Sequence, residues 1–385
     1  MDFPPEISKK QIQTYNPINT QEQPVFYLLS TSQAVSNCHS TMEQFAPHPS
    51  AMFEGYYSKF RLPSGSHIAL IICTVPNATT HPPHMVSFTY YPSSPSLLDP
   101  IFQREHWVSS LSFEETGAGH AFKLSAPGLG SMSVDKDSTT TYDLECEEWS
   151  LHGTTTDRTP WNEGETPEGV LVRLPLPLHW HVHSLSSSCE FELSIRDVEL
   201  PREDQKGRAS VHQEKNWASS FPESHMWVQA SKVNENGARS GVCLAGGKIL
   251  GMTAYILGYR SPDLNVDFKP PFALAVFNLS PLMNVDVDWE NRKFEITVAG
   301  LWKKIVIKAQ APKEMGWFGL GAPFKEGHLQ NFCTESFSAV IEVEVSERAG
   351  SWPWCAWREV RWERFENGSL EFGGGYFPER GLKRE

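Results

Sequence analysis

Val211-His212-Gln213-Glu214-Lys215-Asn216-Trp217-Ala218-Ser219-Ser220-Phe221-Pro222, followed by His225-Met226-Trp227-Val228-Gln229, crowds ionisable groups, amides and indoles between segments that read as ordinary strands. Alternate residues of a strand share a face, so His212, Glu214 and Asn216 point one way while Gln213, Lys215 and Trp217 point the other. Glu214 and Lys215 therefore cannot simply pair with each other. A buried charge left unpaired shifts its pKa or acts as a proton donor or acceptor, which makes this the first place to look for chemistry. The plainer reading is an edge strand with one face in solvent, but Pro222 and the His225–Gln229 segment behind it favour burial. Only one of the two faces can line a pocket, and the pair expected there is Glu214 with Asn216.

Outward from this stretch the chain reads as many short strands. Phe53-Glu54-Gly55-Tyr56-Tyr57-Ser58-Lys59-Phe60 leads through Pro63-Ser64-Gly65 into an apolar run from His67 to Val75: a strand, a tight turn and a buried strand. Similar signals recur at residues 85–91, 106–115, 120–125, 131–135, 141–149 and 189–198. After the opening stretch they resume at 241–249, 253–259, 272–279, 283–289, 293–298, 302–309, 337–345 and 357–363. Residues 153–169 are polar and turn-rich and read as a surface loop, and Pro201 to Arg208 reads as a charged hairpin tip or a linker. No amphipathic helix of useful length competes. Strands at this spacing predict antiparallel barrels or sandwiches. The expected division is an irregular arm over 1–40, one half over 41–204, a second over 205–365 and a tail over 366–385.

Composition narrows the partners. A formal charge of −13 with no basic stripe argues against nucleic acid. Seven cysteines spread singly predict reduced thiols in an intracellular protein rather than a disulfide framework. The start lacks a basic region followed by an apolar one, and no apolar run approaches a membrane span, so a cytoplasmic protein without an integral membrane segment is expected. Thirteen tryptophans suit either sheet packing or a cavity for a large apolar ligand.

Three motifs carry a resemblance. Glu214-Lys215-Asn216-Trp217, Phe221-Pro222 and Trp227-Val228-Gln229 resemble the E-K-N-W, F-P and W-V-Q signature of the tocopherol cyclase family; Phe53 to Tyr57 resembles its F-F-E-G-W-Y, and Pro177-Leu178-His179-Trp180 its P-H-W. The sequence departs at Tyr56, where the family has Trp, at Ala218-Ser219-Ser220, which replace a glycine-rich run, and at His181, where the family tends to have Gln. These departures leave the substrate open. The resemblance implies an all-β chain of two lipocalin-like halves, an architecture shared with carotenoid hydratases and several fungal Diels–Alder cyclases.

The same resemblance implies a cyclase of specialised metabolism that needs no cofactor and closes a ring on a hydrophobic terpenoid or polyketide substrate. Acid-assisted closure needs a strong acid near a dry alkene, donors holding the substrate oxygens and aromatic faces for developing positive charge; pericyclic closure needs a shaped pocket and one or two hydrogen-bond donors. Glu214 or Glu54 is the candidate acid, with Asn216 and His181 completing the catalytic set. Tyr56, His179, Trp180, Trp217, His225, Trp227 and Gln229 are the candidate substrate-binding residues. His179, His181 and His183 fall on one strand face at a spacing zinc could use, but a histidine-lined wall is the preferred reading and no metal is expected. The competing class is a non-catalytic carrier of an apolar metabolite; a metal-dependent hydratase or isomerase trails both. The oligomeric state is not legible in the sequence.

Overall fold

The computed structural model describes residues 13–14, 42–117, 120–162, 166–234 and 237–381. As expected, the chain is all-β. It forms two antiparallel sheets, one of twelve strands and one of eleven, which are the two lipocalin-like halves. In the first, hairpins run in sequence from Ser112–Glu115 to Lys206–Ala218, which then pairs with Phe53–Arg61. From there His67–Thr74, His84–Tyr91 and Phe102–Val108 lead out to the far edge. The sheet curls: Phe88 stacks on Trp149 with centroids 4.3 Å apart, although five pairings separate their strands. The enclosed core is aliphatic and aromatic, with Phe60, Phe122 and Leu151 fully buried. The second sheet curls likewise, bringing Tyr255 to within 5.9 Å of Phe294 around its own core.

Three strands are unusually long: Leu178–Ile195, Gly327–Arg348 and Trp357–Gly374. Bulges bend the first between Val182 and Ser187 and the second and third between Ser336 and Ile341. A bulge adds twist, so one strand can serve two surroundings. The stretch 332–337 faces the first sheet, where Cys333 and Phe337 pack with Ala69 and Tyr91, whereas Ile341, Val343 and Val345 belong to the second core. The sheets thus meet face to face across a seam, which positions the site described below.

Several expectations are corrected. Residues 106–115 are not one strand: Phe102–Val108 ends at Ser109-Ser110, and Ser112–Glu115 lies elsewhere in the sheet order. Residues 141–149 split likewise at a turn closed by the Cys146 N–H to the Trp149 carbonyl, 2.9 Å. Gly153 to Thr156, expected in a loop, continue the strand Trp149–Thr156; threonine is polar but β-branched and fits a pleated surface. Ser184 to Ser188, outside the strand expected over 189–198, are buried strand, with hydroxyls paired as Ser184–Ser187 (2.8 Å) and Ser186–Ser210 (2.9 Å). The chain changes sheet between Ala218 and Ser224 rather than at residue 205, because Lys206–Ala218 is hydrogen-bonded on both sides within the first sheet. Residues 366–374, expected as tail, are strand. The arm expected over 1–40 lies outside the described residues apart from Gln13–Thr14, which pairs with Ser112–Glu115. No helix among the described residues is long and apolar enough to cross a membrane.

Candidate active site in the seam between the sheets

A cavity of about 170 Å³ lies in the seam. Its first-sheet wall follows from strand parity. Glu214 is in register with Tyr57 and Val182, and Asn216 with Gly55 and Trp180, so Glu214, Asn216, Tyr57 and Trp180 share the face turned to the second sheet. Gly55 keeps this wall open: a Cβ there would stand 3.1 Å from Asn216 Oδ1. The second sheet contributes His225, Trp227, Cys333 and Glu371. Of the residues proposed from sequence, Glu214, Asn216, Trp180, His225 and Trp227 therefore converge, and the Glu214–Asn216 face is the one that lines the cavity.

Others face away. Lys215 and Trp217 point into the first core together with Glu54, His179 and His181, which their registers place beside them. There Lys215 Nζ pairs with Glu54 at 2.6 Å, and Trp217 stacks between His48 (4.1 Å) and His179 (5.0 Å). Burial alone would raise the Glu54 pKa, but Lys215 and His48 outweigh it and hold the carboxyl below its usual value. Glu54 is thus an ionised structural anion and not a proton donor. His179 contacts Glu168 at 2.8 Å, while His181 lies 2.5 Å from Glu43. His183 Nδ1 lies 3.7 Å from the same Glu43 oxygen, so His181 and His183 share one carboxylate while His179 has its own. Tyr56 borders the cavity, yet its ring packs on Phe45 and Phe122 in the core. Gln229 sits beside a separate, water-sized space, accepting from Lys59 Nζ at 3.0 Å.

The seam also holds ionisable groups that the motifs did not flag. Glu335 is fully buried and directly opposite Glu371 on the neighbouring strand; its Oε1 accepts from the Tyr57 hydroxyl at 3.0 Å, and its Oε2 has no hydrogen-bond partner. Burial, then the Glu371 charge, push the Glu335 pKa well above the carboxylate range, against the opposing pull of Lys59 and Tyr57. Burial and the facing Glu371 thus favour the protonated form of Glu335. Burial pushes Lys59 the other way, down to about 7. Glu371 lies 2.5 Å from His225 Nε2, and Glu214 Oε2 accepts from Trp227 Nε1 at 3.0 Å and contacts His212 Nε2 at 2.9 Å. Two signals could have found the missed residues. Pairing the strands of the two first-sheet motifs puts Tyr57, not Tyr56, on the Glu214 face, and Glu335 and Glu371 are lone acids in the otherwise apolar or neutral runs 332–337 and 370–373.

A cavity lined by aromatic side chains, with the Tyr57 phenol backed by the buried Glu335 and the Glu371–His225 pair on the facing wall, offers one point to donate a proton and another to accept one. Site and fold together define a lipocalin-like, two-sheet protein with an internal acid–base site. Residues 202–374 match the tocopherol cyclase-like family model, which bears out the resemblance read from the motifs. That match supports an enzyme of the cyclase kind. No curated protein matches the sequence. Solved structures similar to this chain include CghA with Sch210972 (11% identity, TM-score 0.47, covering 84% of this chain and 88% of that one). Kievitone hydratase from Nectria haematococca is 10% identical, with TM-score 0.48 and coverage of 84% and 89%. An AttH protein from Nitrosomonas europaea is 10% identical, with TM-score 0.47 and coverage of 86% and 95%.

Proposed function

We propose that this protein is a cyclase of specialised metabolism that closes a ring on a hydrophobic terpenoid or polyketide substrate by acid-assisted cyclisation in the seam cavity. The observation that carries this reading is Glu335, a carboxyl buried opposite Glu371, which favours its protonated form, and hydrogen-bonded to Tyr57 on the cavity wall. On substrate binding the Tyr57–Glu335 hydrogen bond reverses, and Glu335 passes a proton to the Tyr57 oxygen as the phenolic proton moves to a substrate alkene. One C–H bond forms, the π bond is lost, and the carbocation is stabilised by the faces of Trp180 and Trp227. A substrate hydroxyl held by Asn216 and Glu214 adds to the cation, and its proton leaves to the His225–Glu371 pair. The proton returns from the His225–Glu371 pair to Glu335, directly opposite Glu371, before the next turnover, so the sum is an isomerisation with no atom gained or lost.

A pericyclic closure is the second reading, favoured by the Tyr57 hydroxyl and Asn216 amide on the same wall, which could polarise a carbonyl. Candidate linear precursors, each bearing a prenyl alkene and a phenol, are incubated with the protein and the product's stereochemistry is followed. A single stereoisomer formed well above background is expected, with Glu335→Gln slower by about 10²–10⁴-fold, the usual worth of a general acid. Unimpaired turnover by Glu335→Gln would transfer the assignment to the pericyclic route. Tight binding with background rate and racemic product would leave only a carrier.

A further inference from the structure

A second constellation in the seam shares Glu214 with the proposed cyclisation but is built on its Oε2, the oxygen beside His212. His212 and Glu214, two residues apart on Lys206–Ala218, face Cys243 of the strand Arg239–Ile249 in the other sheet. His212 Nε2 is 2.9 Å from Glu214 Oε2, and Cys243 Sγ is 3.9 Å from each of them. All three residues are buried. Imidazole, carboxylate and thiolate are the donors zinc takes, and tetrahedral bonds of about 2.0–2.3 Å separate N from O by about 3.3 Å and S from either by about 3.5 Å. Each observed separation lies within about 0.4 Å of that geometry.

Charge points the same way. A thiolate and a carboxylate neutralise a divalent cation, with a neutral imidazole as third ligand. Two other clusters of metal-binding type are poorer candidates. Glu43, beside His181 and His183, is already neutralised by Arg158 at 2.6 Å, and His225, Cys333 and Glu371 all lie within the second sheet.

We propose that His212, Glu214 and Cys243 form a zinc site that ties the two sheets together, with its fourth position turned to the cavity that Glu214 lines. The test reads the metal and not turnover, so its outcome is separate from that of the cyclisation. Chelator-treated protein is titrated with Co²⁺ under reducing conditions, then with Zn²⁺. Expected are one equivalent of Co²⁺ per chain with a near-ultraviolet thiolate-to-cobalt band, displacement by Zn²⁺, and a raised Tm with Zn²⁺. Cys243→Ser, or Cys243→Ala if the serine variant does not fold by circular dichroism, is expected to lose the band, and His212→Asn to weaken binding at least about tenfold. No band in the wild type, or a band that persists without Cys243, would overturn the site.

Discussion

Glu335 is the residue on which the chemistry turns, and its protonation has a stability signature. Its pKa is raised from 4.5 in the folded protein, so above that pH the folded state binds more protons than the unfolded state, and stability falls as pH rises through the interval up to the folded value. Glu335→Gln removes this loss. The variant should match the wild type near pH 4 and exceed it in Tm at pH 8 to 9; a variant less stable at pH 8 than at pH 4, relative to wild type, would contradict the assignment. Lys215 makes the opposite kind of contribution. It is buried, pushed down to about 8, and satisfied by Glu54 and by the carbonyls of Phe45 and Ala46. Lys215→Met strands the Glu54 anion and should cost about 3–5 kcal/mol in urea denaturation, most of it recovered in the double variant with Glu54→Gln. At this scale the sequence was half legible. Parity on one strand showed that Glu214 and Lys215 need different partners, but which partner each finds depends on registers between strands far apart in the chain.

The strand Lys206–Ala218 serves two interiors at once. One face supplies Glu214 and Asn216 to the seam; the other supplies Lys215 and Trp217 to the first core. The motif is therefore half cavity wall and half structural lock, which is why Glu54 looked catalytic, and His179 and Trp217 substrate-binding, from sequence. Its neighbour Phe53–Arg61 shows the same division between Tyr56 and Tyr57. Gly55→Ala is expected to place a methyl 3.1 Å from Asn216 Oδ1 and narrow the cavity, raising KM for a bulky precursor with Tm nearly unchanged; an unchanged KM would place the substrate elsewhere. Short strands were readable from alternation and turn residues, as in Thr140–Glu145, whose burial alternates at every position. The long strands were not, because the serines of Leu178–Ile195 resemble a loop until their hydroxyls find one another across the bulge.

Across the whole molecule, two curled sheets each keep their own core and share a seam whose buried groups come from both. Segment 42–50 completes the first core: Phe45 stacks on His183 at 4.1 Å and His48 on Trp217. Phe45→Ala should cost about 3–5 kcal/mol, seen as a lower urea midpoint. The two-sheet architecture was legible from strand count and motifs. The seam site was not, since Tyr57, Glu335 and Glu371 meet only when strands some three hundred residues apart pack face to face. The central claim is that this seam delivers a proton to carbon. Turnover of a linear prenylated precursor in deuterated water tests it most directly: the account predicts one deuterium, at one diastereotopic position of the former alkene carbon, and cyclised product free of deuterium would contradict it.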